Sequence, residues 1–251
     1  MIPKDSYEII DTLIKQGRSF AIWRIPSEDR LHFRMQSAGS PCLLYDIKDL
    51  NERSGFVIAP FQVTAERPIV LIQPDCFEIP SESDWDFSRE KNEFPSNEIE
   101  IPSESEEKER YAYHFSLFTN PLLKGSQDKL VLSRSKTIRK DPSFSPGKAF
   151  FAAEERYIRS YVYLCHTPET GTWMGGTPEI LLSGEKGDWQ TVALAGTQSL
   201  RDGKLPKSWD HKNWREQQLV LYTPPAVHLG YYSRGEGALF SPGRRGFSFE
   251  K

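Results

Sequence analysis

Ser160-Tyr161-Val162-Tyr163-Leu164-Cys165-His166 is a run of seven residues from which the fold class can be inferred. Its aromatic, β-branched and aliphatic residues are typical of a β-strand. A second run, Thr172-Trp173-Met174, follows the turn sequence Glu169-Thr170-Gly171. Two such runs joined by a short turn predict consecutive antiparallel strands.

The same pattern continues on both sides of this pair. Downstream, we expect strands at Ile180-Leu181-Leu182 and Thr191-Val192-Ala193-Leu194, with a turn at Glu185-Lys186-Gly187-Asp188. Upstream, between residues 19 and 74, short apolar runs are separated by Pro, Gly and charged turns, which is typical of an antiparallel sheet. These runs lie at residues 20–23, 42–45, 55–61 and 69–72.

Two helices are predicted from hydrophobic spacing and capping signals. The first can be capped by Asp5 or Ser6, places its apolar residues on one face, and ends before Gly17, where a helix C-terminus favours glycine. The second is capped by Ser208, spans 209–222, and is ended by the two prolines that follow. Helices together with antiparallel sheets define an α+β fold class.

Two further segments have opposite characters. Asp128-Lys129-Leu130-Val131-Leu132-Ser133-Arg134 is an aliphatic run between charged ends, which predicts a buried strand. Residues 76–110 are dominated by Glu, Ser, Pro and Asn, and Glu-Ile-Pro-Ser-Glu-Ser occurs there at 78–83 and 100–105. Because so little apolar surface cannot offset the entropy of ordering, we expect an acidic, mobile surface insertion without chemistry.

Composition narrows the function classes. At 251 residues, with 37% hydrophobic and 27% charged residues, the chain is typical of a soluble globular protein. A net charge of -3 with scattered basic residues argues against nucleic acid as a partner, and no apolar run reaches the roughly 20 residues of a membrane span. The start lacks a secretory signal pattern, so we expect a cytoplasmic location. Cys42, Cys76 and Cys165 are too widely spaced for a zinc site and predict reduced thiols, which leaves small-molecule chemistry as the leading class.

Four segments, in their order along the chain, resemble the chorismate-binding enzymes, and the isochorismate synthases in particular. Residues 55–61 are also similar to the front of these synthases, so the resemblance covers roughly residues 20–220. No segment is specific alone, but the order and spacing of the four are. The four segments are Lys129-Leu130-Val131-Leu132-Ser133-Arg134, Trp173-Met174-Gly175-Gly176-Thr177-Pro178-Glu179-Ile180-Leu181, Ala193-Leu194-Ala195-Gly196-Thr197, and residues 209–220, which end in Glu216-Gln217-Gln218-Leu219-Val220.

The resemblance implies two sheets flanked by helices, chorismate as substrate and Mg²⁺ as cofactor. It implies that Lys129 activates water for attack on ring carbon 2, and that Glu179 protonates the hydroxyl that leaves carbon 4. It also implies that Glu216 is the first magnesium carboxylate. Relatives that use ammonia carry a non-basic residue where this chain has Lys129, so the lysine favours water as the nucleophile.

Each of these residues also has an ordinary structural explanation. A lysine serves as a base only where burial disfavours its charged form, and Lys129 stands at the start of an apolar run, where such burial is expected. A lysine at the exposed end of a strand, without a catalytic role, explains the same residue equally well. Glu179 can act as an acid only if an apolar setting keeps its carboxyl group protonated. The alternative is a glutamate in an ordinary turn, because Thr-Pro-Glu is a common turn sequence. Glu216 on a helix suits Mg²⁺, or it forms a surface pair with Lys212.

Small residues mark the predicted substrate contacts. Gly176 and the segment Ala195-Gly196-Thr197 lack bulk, which would let backbone N–H groups approach a substrate carboxylate. We therefore predict Gly176, Ala195, Gly196 and Thr197 as substrate-binding residues. Tight turns explain the same residues equally well.

The end of the chain departs from the family pattern. We expect residues 1–220 to form the N-terminal and central part of a single chorismate-binding domain, and 221–251 to be a divergent tail rich in Gly, Pro and Arg. The change after Val220 is what a truncated or frameshifted reading frame would produce, so the expected fold is incomplete. Two alternatives stay open: an inactive relative that at most binds chorismate, or a salicylate or aminodeoxychorismate synthase. The sequence gives no sign of oligomeric state, or of whether a menaquinone or a siderophore pathway would use the product.

Overall fold

The structure, a computed structural model, describes residues 6–81, 101–178, 183–185, 188–190 and 208–222, together with positions 195, 197, 199 and 204. It divides into two compact units, Met1–Pro178 and Glu179–Lys251. The first unit contains α1 (Ser6–Lys15), β1 (Ser19–Arg24), β2 (Leu31–Gln36), β3 (Cys42–Leu44), a 3₁₀ helix (Ile47–Leu50), β4 (Phe56–Ile58), β5 (Ile69–Ile72), α2 (Glu104–Leu123), α3 (Pro146–Arg156), β6 (Tyr161–Thr167) and β7 (Gly171–Thr177). The second unit contains β8 (Ser183–Glu185), β9 (Asp188–Gln190) and α4 (His211–Tyr222).

The larger sheet of the first unit has the strand order β2-β1-β6-β7, and its neighbouring strands are all antiparallel. β6 pairs with β7 from Tyr161↔Thr177 to Thr167↔Gly171. Gly171 ends the connecting turn with a φ of 73°, a backbone conformation that glycine adopts without steric cost. The predicted hairpin is therefore confirmed.

The smaller sheet of the first unit has the order β3-β5-β4, again antiparallel. All four residues of β5 are buried, which suits a central strand. The sequence predicted one sheet between residues 19 and 74, whereas the structure places β1 in the larger sheet and β3, β4 and β5 in the smaller one. The α+β class with antiparallel sheets is confirmed.

The main hydrophobic core lies between the larger sheet and the helices α1 and α3. Its fully buried side chains come from all three: Ile10, Leu13, Phe20, Ile22, Met35, Phe150 and Leu164. The helices approach closely at Gly147, where an added Cβ would lie 2.4 Å from the carbonyl oxygen of Tyr7. The Gly147 N–H also donates to the Asp11 carboxylate at 2.8 Å. Only glycine fits this crossing.

Arg24 joins the end of β1 to the end of α3. Its side chain is 3% exposed, and its Nε lies 2.8 Å from the Glu154 carboxylate. The guanidinium also donates to the carbonyls of Ile158 at 2.9 Å and Tyr157 at 2.7 Å. A buried charge is tolerated where it is paired and its donors are satisfied, so this contact is a structural link.

α2 begins inside the segment that its composition assigned to the acidic insertion. Ser103 caps the helix, and the Glu106 carboxylate accepts from the Ser103 N–H at 2.8 Å, which completes a capping box. Residues 104–110 are thus helical, and 82–100 lie outside the described residues. None of the described helices is long and apolar enough to cross a bilayer.

The strand predicted at residues 128–134 is wrong. Residues 124–145 contain neither helix nor strand, and Leu130 and Val131 are 37% and 74% exposed. A strand needs a partner edge for its backbone N–H and C=O groups. Within the described ranges no strand pairs with this run. Apolar composition alone therefore did not produce a strand here.

In the second unit, β8 and β9 form a hairpin from Ser183↔Gln190 to Glu185↔Asp188, where the turn was predicted. α4 begins two residues later than expected. Asp210 rather than Ser208 caps it, because the Asp210 carboxylate accepts from the N–H of Asn213 at 2.9 Å. The strands predicted at 180–182 and 191–194 lie outside the described residues.

Candidate functional site

Lys129 lies in the first unit, in the irregular stretch that follows α2, and its side chain is half-buried. The next residues along the chain, Leu130 and Val131, face solvent. The apolar enclosure expected around a lysine base is therefore not built by its own run. Its assignment as the general base stays a prediction.

The two glycines of the Trp-Met-Gly-Gly segment have different surroundings on β7. A Cβ added at Gly175 would lie 2.8 to 2.9 Å from the ring end of Tyr163, so glycine leaves room for that ring. A Cβ added at Gly176 would lie 3.7 Å from the Tyr161 carbonyl oxygen, which is an ordinary contact. Gly176 is exposed, and packing does not require a glycine there. The space at Gly176 is open to a ligand.

A cavity of about 910 Å³ lies between the two sheets of the first unit. Aromatic and apolar side chains of β4, β6 and β7 form most of its wall, and Gly175 shapes it through Tyr163. Sequence reasoning did not single out this cavity. The signal was the alternation along β6, which turns Tyr161, Tyr163 and Cys165 to one side. The polar and charged side chains that line the cavity include Tyr161, Tyr163, Cys165, Glu66, Arg67 and Glu169.

The tyrosine and cysteine side chains of β6 that line this cavity are uncharged at neutral pH. Burial raises the pKa of Tyr161 to about 12 and that of Cys165 to about 12, and burial also raises the pKa of Tyr163. These groups therefore stay protonated and act as neutral contacts, not as bases or nucleophiles. The charged lining residues are two carboxylates and one guanidinium, so the cavity has a net negative charge.

In the second unit, two residues predicted to contact the substrate are hydrogen-bonded to the helix that carries Glu216. The backbone N–H of Ala195 donates to the Gln217 side-chain oxygen at 3.1 Å, and that of Thr197 donates to the Asn213 side-chain oxygen at 3.0 Å. Positions 213, 216 and 217 share one face of α4. The structure thus brings Ala195 and Thr197 to the helix face of Glu216. In this arrangement both N–H groups bind the helix.

Glu216 is the residue that would hold a magnesium ion. Its side chain is half-buried, and a carboxylate supplies the oxygen donors that Mg²⁺ prefers. In the parts of the chain that the structure describes, no group of three or more His, Cys, Asp or Glu side chains could hold a metal. One carboxylate with retained waters suits Mg²⁺, which keeps several waters in most protein sites.

Two predicted site residues, Glu179 and Gly196, lie outside the described residues. The remaining ones are distributed over the two units: Lys129 and Gly176 in the first, and Ala195, Thr197 and Glu216 in the second. Within the second unit, Ala195 and Thr197 donate hydrogen bonds to the helix that carries Glu216. Their roles in binding and catalysis stay predictions.

Taken together, these features define a mixed α+β protein whose first unit contains a cavity large enough for a small molecule. Residues 52–223 match the family described as chorismate binding enzyme, and since this span is more than half of the chain, the protein belongs to that family. The family implies chorismate as the small-molecule substrate. The matched span contains Lys129, Glu179, Gly196 and Glu216. No curated protein and no solved structure matches the chain.

Proposed function

We propose that this chain is an isochorismate synthase, which converts chorismate to isochorismate with Mg²⁺ as cofactor. The observation that carries the proposal is the family match over residues 52–223, with a lysine at position 129. A lysine there favours water as the nucleophile over ammonia. Ala195 and Thr197, whose backbone N–H groups donate to side chains of the helix that carries Glu216, support a binding role for the second unit.

In the proposed mechanism, the Lys129 amine takes a proton from water while the water oxygen bonds to ring carbon 2. The two ring double bonds each shift by one position towards carbon 4, and the bond from carbon 4 to its hydroxyl oxygen breaks. Glu179 donates a proton to that oxygen, so the leaving group departs as water. One water enters and one leaves, and the reaction is therefore an isomerisation.

Glu216 would hold the cofactor on α4. When bound, Mg²⁺ supplies positive charge that offsets a substrate carboxylate. Asn213 and Gln217 accept hydrogen bonds from the backbone N–H groups of Thr197 and Ala195, which ties these two positions to the helix that carries Glu216. This positioning matters because chorismate carries two negative charges and the chain itself has a net charge of -3.

Turnover of chorismate, followed by chromatography and NMR with and without Mg²⁺, tests the proposal. Lys129→Ala and Glu179→Gln should each lower turnover by about 10²- to 10⁴-fold, because each removes a positioned proton-transfer group. Lys129→Ala should leave the free energy of unfolding unchanged, since the residue is only half-buried. Lys140→Ala, at an exposed lysine of the same irregular stretch, is the matched control and should keep full activity.

The product identifies the reaction. Isochorismate alone supports the proposal, whereas salicylate, or aminodeoxychorismate formed with ammonia, would assign another chorismate-using activity. Full turnover by Lys129→Ala would contradict the assignment of the base.

A second candidate is a protein that binds chorismate without converting it. The solvent exposure of Leu130 and Val131 beside Lys129 favours it, because an enzyme normally excludes water from the groups that react. Isothermal titration separates the two candidates. Chorismate binding by a folded sample that gives no product in the presence of Mg²⁺ would establish the second candidate and exclude the first.

A further inference from the structure

A second, smaller pocket of the first unit has a volume of about 260 Å³. One wall is α2, and the other is the irregular run that contains Arg134, the last residue of the segment headed by Lys129. The pocket is lined by Glu107, Arg110, Tyr111, His114, Leu132, Ser133, Arg134 and Ser135.

The charged groups of this pocket favour an anion. Arg110 and Arg134 supply two guanidinium groups, and Glu107 supplies one carboxylate, so the lining is net positive on a chain whose net charge is -3. Among the described residues, neither guanidinium lies in an ion pair within 4.0 Å. A guanidinium donates two parallel hydrogen bonds to a carboxylate, and two guanidiniums converge on this pocket.

The other lining groups favour a ring. Tyr111 and Leu132 give an apolar surface, and the Arg134 guanidinium lies over the Tyr111 ring at 6.0 Å from its centroid, which restrains it. A cavity of about 150 Å³ holds a benzene molecule. The 260 Å³ available here therefore accommodates a six-membered ring with carboxylate substituents.

We propose that the pocket between α2 and residues 132–135 binds a small ring carboxylate, with Arg110 and Arg134 as its anion contacts. The identity of the natural ligand, chorismate, rests on the proposed function. The larger cavity between the sheets is the poorer site for such an anion, because its charged lining is net negative.

The position of Arg134 connects this pocket to the proposed chemistry. Arg134 follows Lys129 by five positions. Five residues span at most about 18 Å even when fully extended, so Arg134 lies no further than that from the Lys129 backbone. Arg110 and Arg134 are binding residues, and their loss should change affinity without changing the fold, since both are exposed.

Isothermal titration of the full chain with four probes tests the proposal: chorismate, benzoate as a ring with a carboxylate, benzyl alcohol as a ring without charge, and inorganic phosphate as an anion without a ring. Arg110→Gln and Arg134→Gln should each weaken binding of chorismate and benzoate by about tenfold, the loss of one charge-assisted contact. Arg139→Gln, at an exposed arginine outside the pocket, is the matched control and should bind both as the parent chain does.

The outcomes separate this proposal from the proposed function. Weakened benzoate and chorismate binding in both pocket variants supports the pocket, even if the chain never turns over chorismate. Turnover with an unchanged KM in both pocket variants would overturn the pocket and leave the synthase proposal standing. Phosphate binding as tight as benzoate binding, or benzyl alcohol binding that matches benzoate, would also overturn the ring carboxylate assignment.

Discussion

Gly176→Ala separates a binding role of β7 from a structural one. The added methyl would lie 3.7 Å from the Tyr161 carbonyl oxygen and 3.8 Å from the Val162 Cγ2, both ordinary contacts. The φ of Gly176 is not in the left-handed region, so alanine is not strained there. We therefore expect the free energy of unfolding to change by less than about 0.5 kcal/mol, as for other exposed sites without special geometry.

The same methyl should weaken substrate binding. If a substrate carboxylate approaches the backbone at Gly176, a methyl takes part of that space and lengthens a charge-assisted hydrogen bond. Such a bond contributes about 1.5 to 3 kcal/mol, which corresponds to a loss of affinity of about ten- to a hundredfold. The assay pairs urea unfolding, followed by tryptophan fluorescence, with isothermal titration of chorismate on the same samples.

Gly147→Ala is the matched glycine control in the same unit. Its methyl would meet backbone atoms of Tyr7 at 2.4 and 2.9 Å, and two packed helices would have to separate. We expect a loss of stability of about 3 kcal/mol, at the upper end for overpacking, with unchanged chorismate affinity in the folded fraction. Unchanged affinity in Gly176→Ala would refute the substrate-contact assignment, and a stability loss similar to that of Gly147→Ala would refute the packing argument.

Three further outcomes follow from buried groups of the first unit. Arg24→Met should lower the free energy of unfolding, measured in urea, by about 3 kcal/mol, because it leaves the Glu154 carboxylate without its partner. An unchanged free energy of unfolding would contradict a structural role for the contact between Arg24 and Glu154. Burial lowers the pKa of His166 to about 4, so between pH 6.5 and pH 4 the unfolded chain binds more protons than the folded chain. The free energy of unfolding should therefore fall by up to about 3 kcal/mol as the pH drops through that range. A His166→Gln chain with the same pH slope would exclude this histidine as the cause. At pH 8, an alkylating reagent should modify Cys42 well before Cys165, because burial raises the pKa of Cys165 to about 12. Peptide mass spectrometry of the native chain measures the labelling of each cysteine, and equal labelling of the two would contradict this prediction.

Local sequence predicted the parts of the fold whose partners are close in the chain. β6 and β7 are joined by a three-residue turn, and α1 has its apolar face and its terminal glycine within one short segment. β2 was missed although its sequence alternates and buries Phe33 and Met35. α3 was missed although Ser145 and Pro146 are a common helix start.

The predictions that failed depended on distant partners. Residues 128–134 have the composition of a buried strand, but composition does not specify which edge supplies the pairing, and within the described ranges none does. The opposite error occurred at α2, where Glu and Ser suggested an unstructured insertion. There, a local capping box at Ser103 and Glu106 starts a helix in which no side chain is buried. Local hydrogen bonds thus formed an element that composition argued against.

The candidate site was predictable only as a set of motifs, because a motif does not say why each residue is present. Gly175 and Gly176 are adjacent in the same segment, yet Gly175 makes room for the Tyr163 ring, whereas a Cβ at Gly176 would make only ordinary contacts, at 3.7 Å or more. Lys129 and Arg134 likewise belong to one segment, but only Arg134 lines a pocket with a net positive charge. Since a dianion and a chain of net charge -3 repel each other, a pocket whose guanidiniums outnumber its carboxylates is favourable for such a ligand, and the spacing of motifs alone does not locate such a pocket.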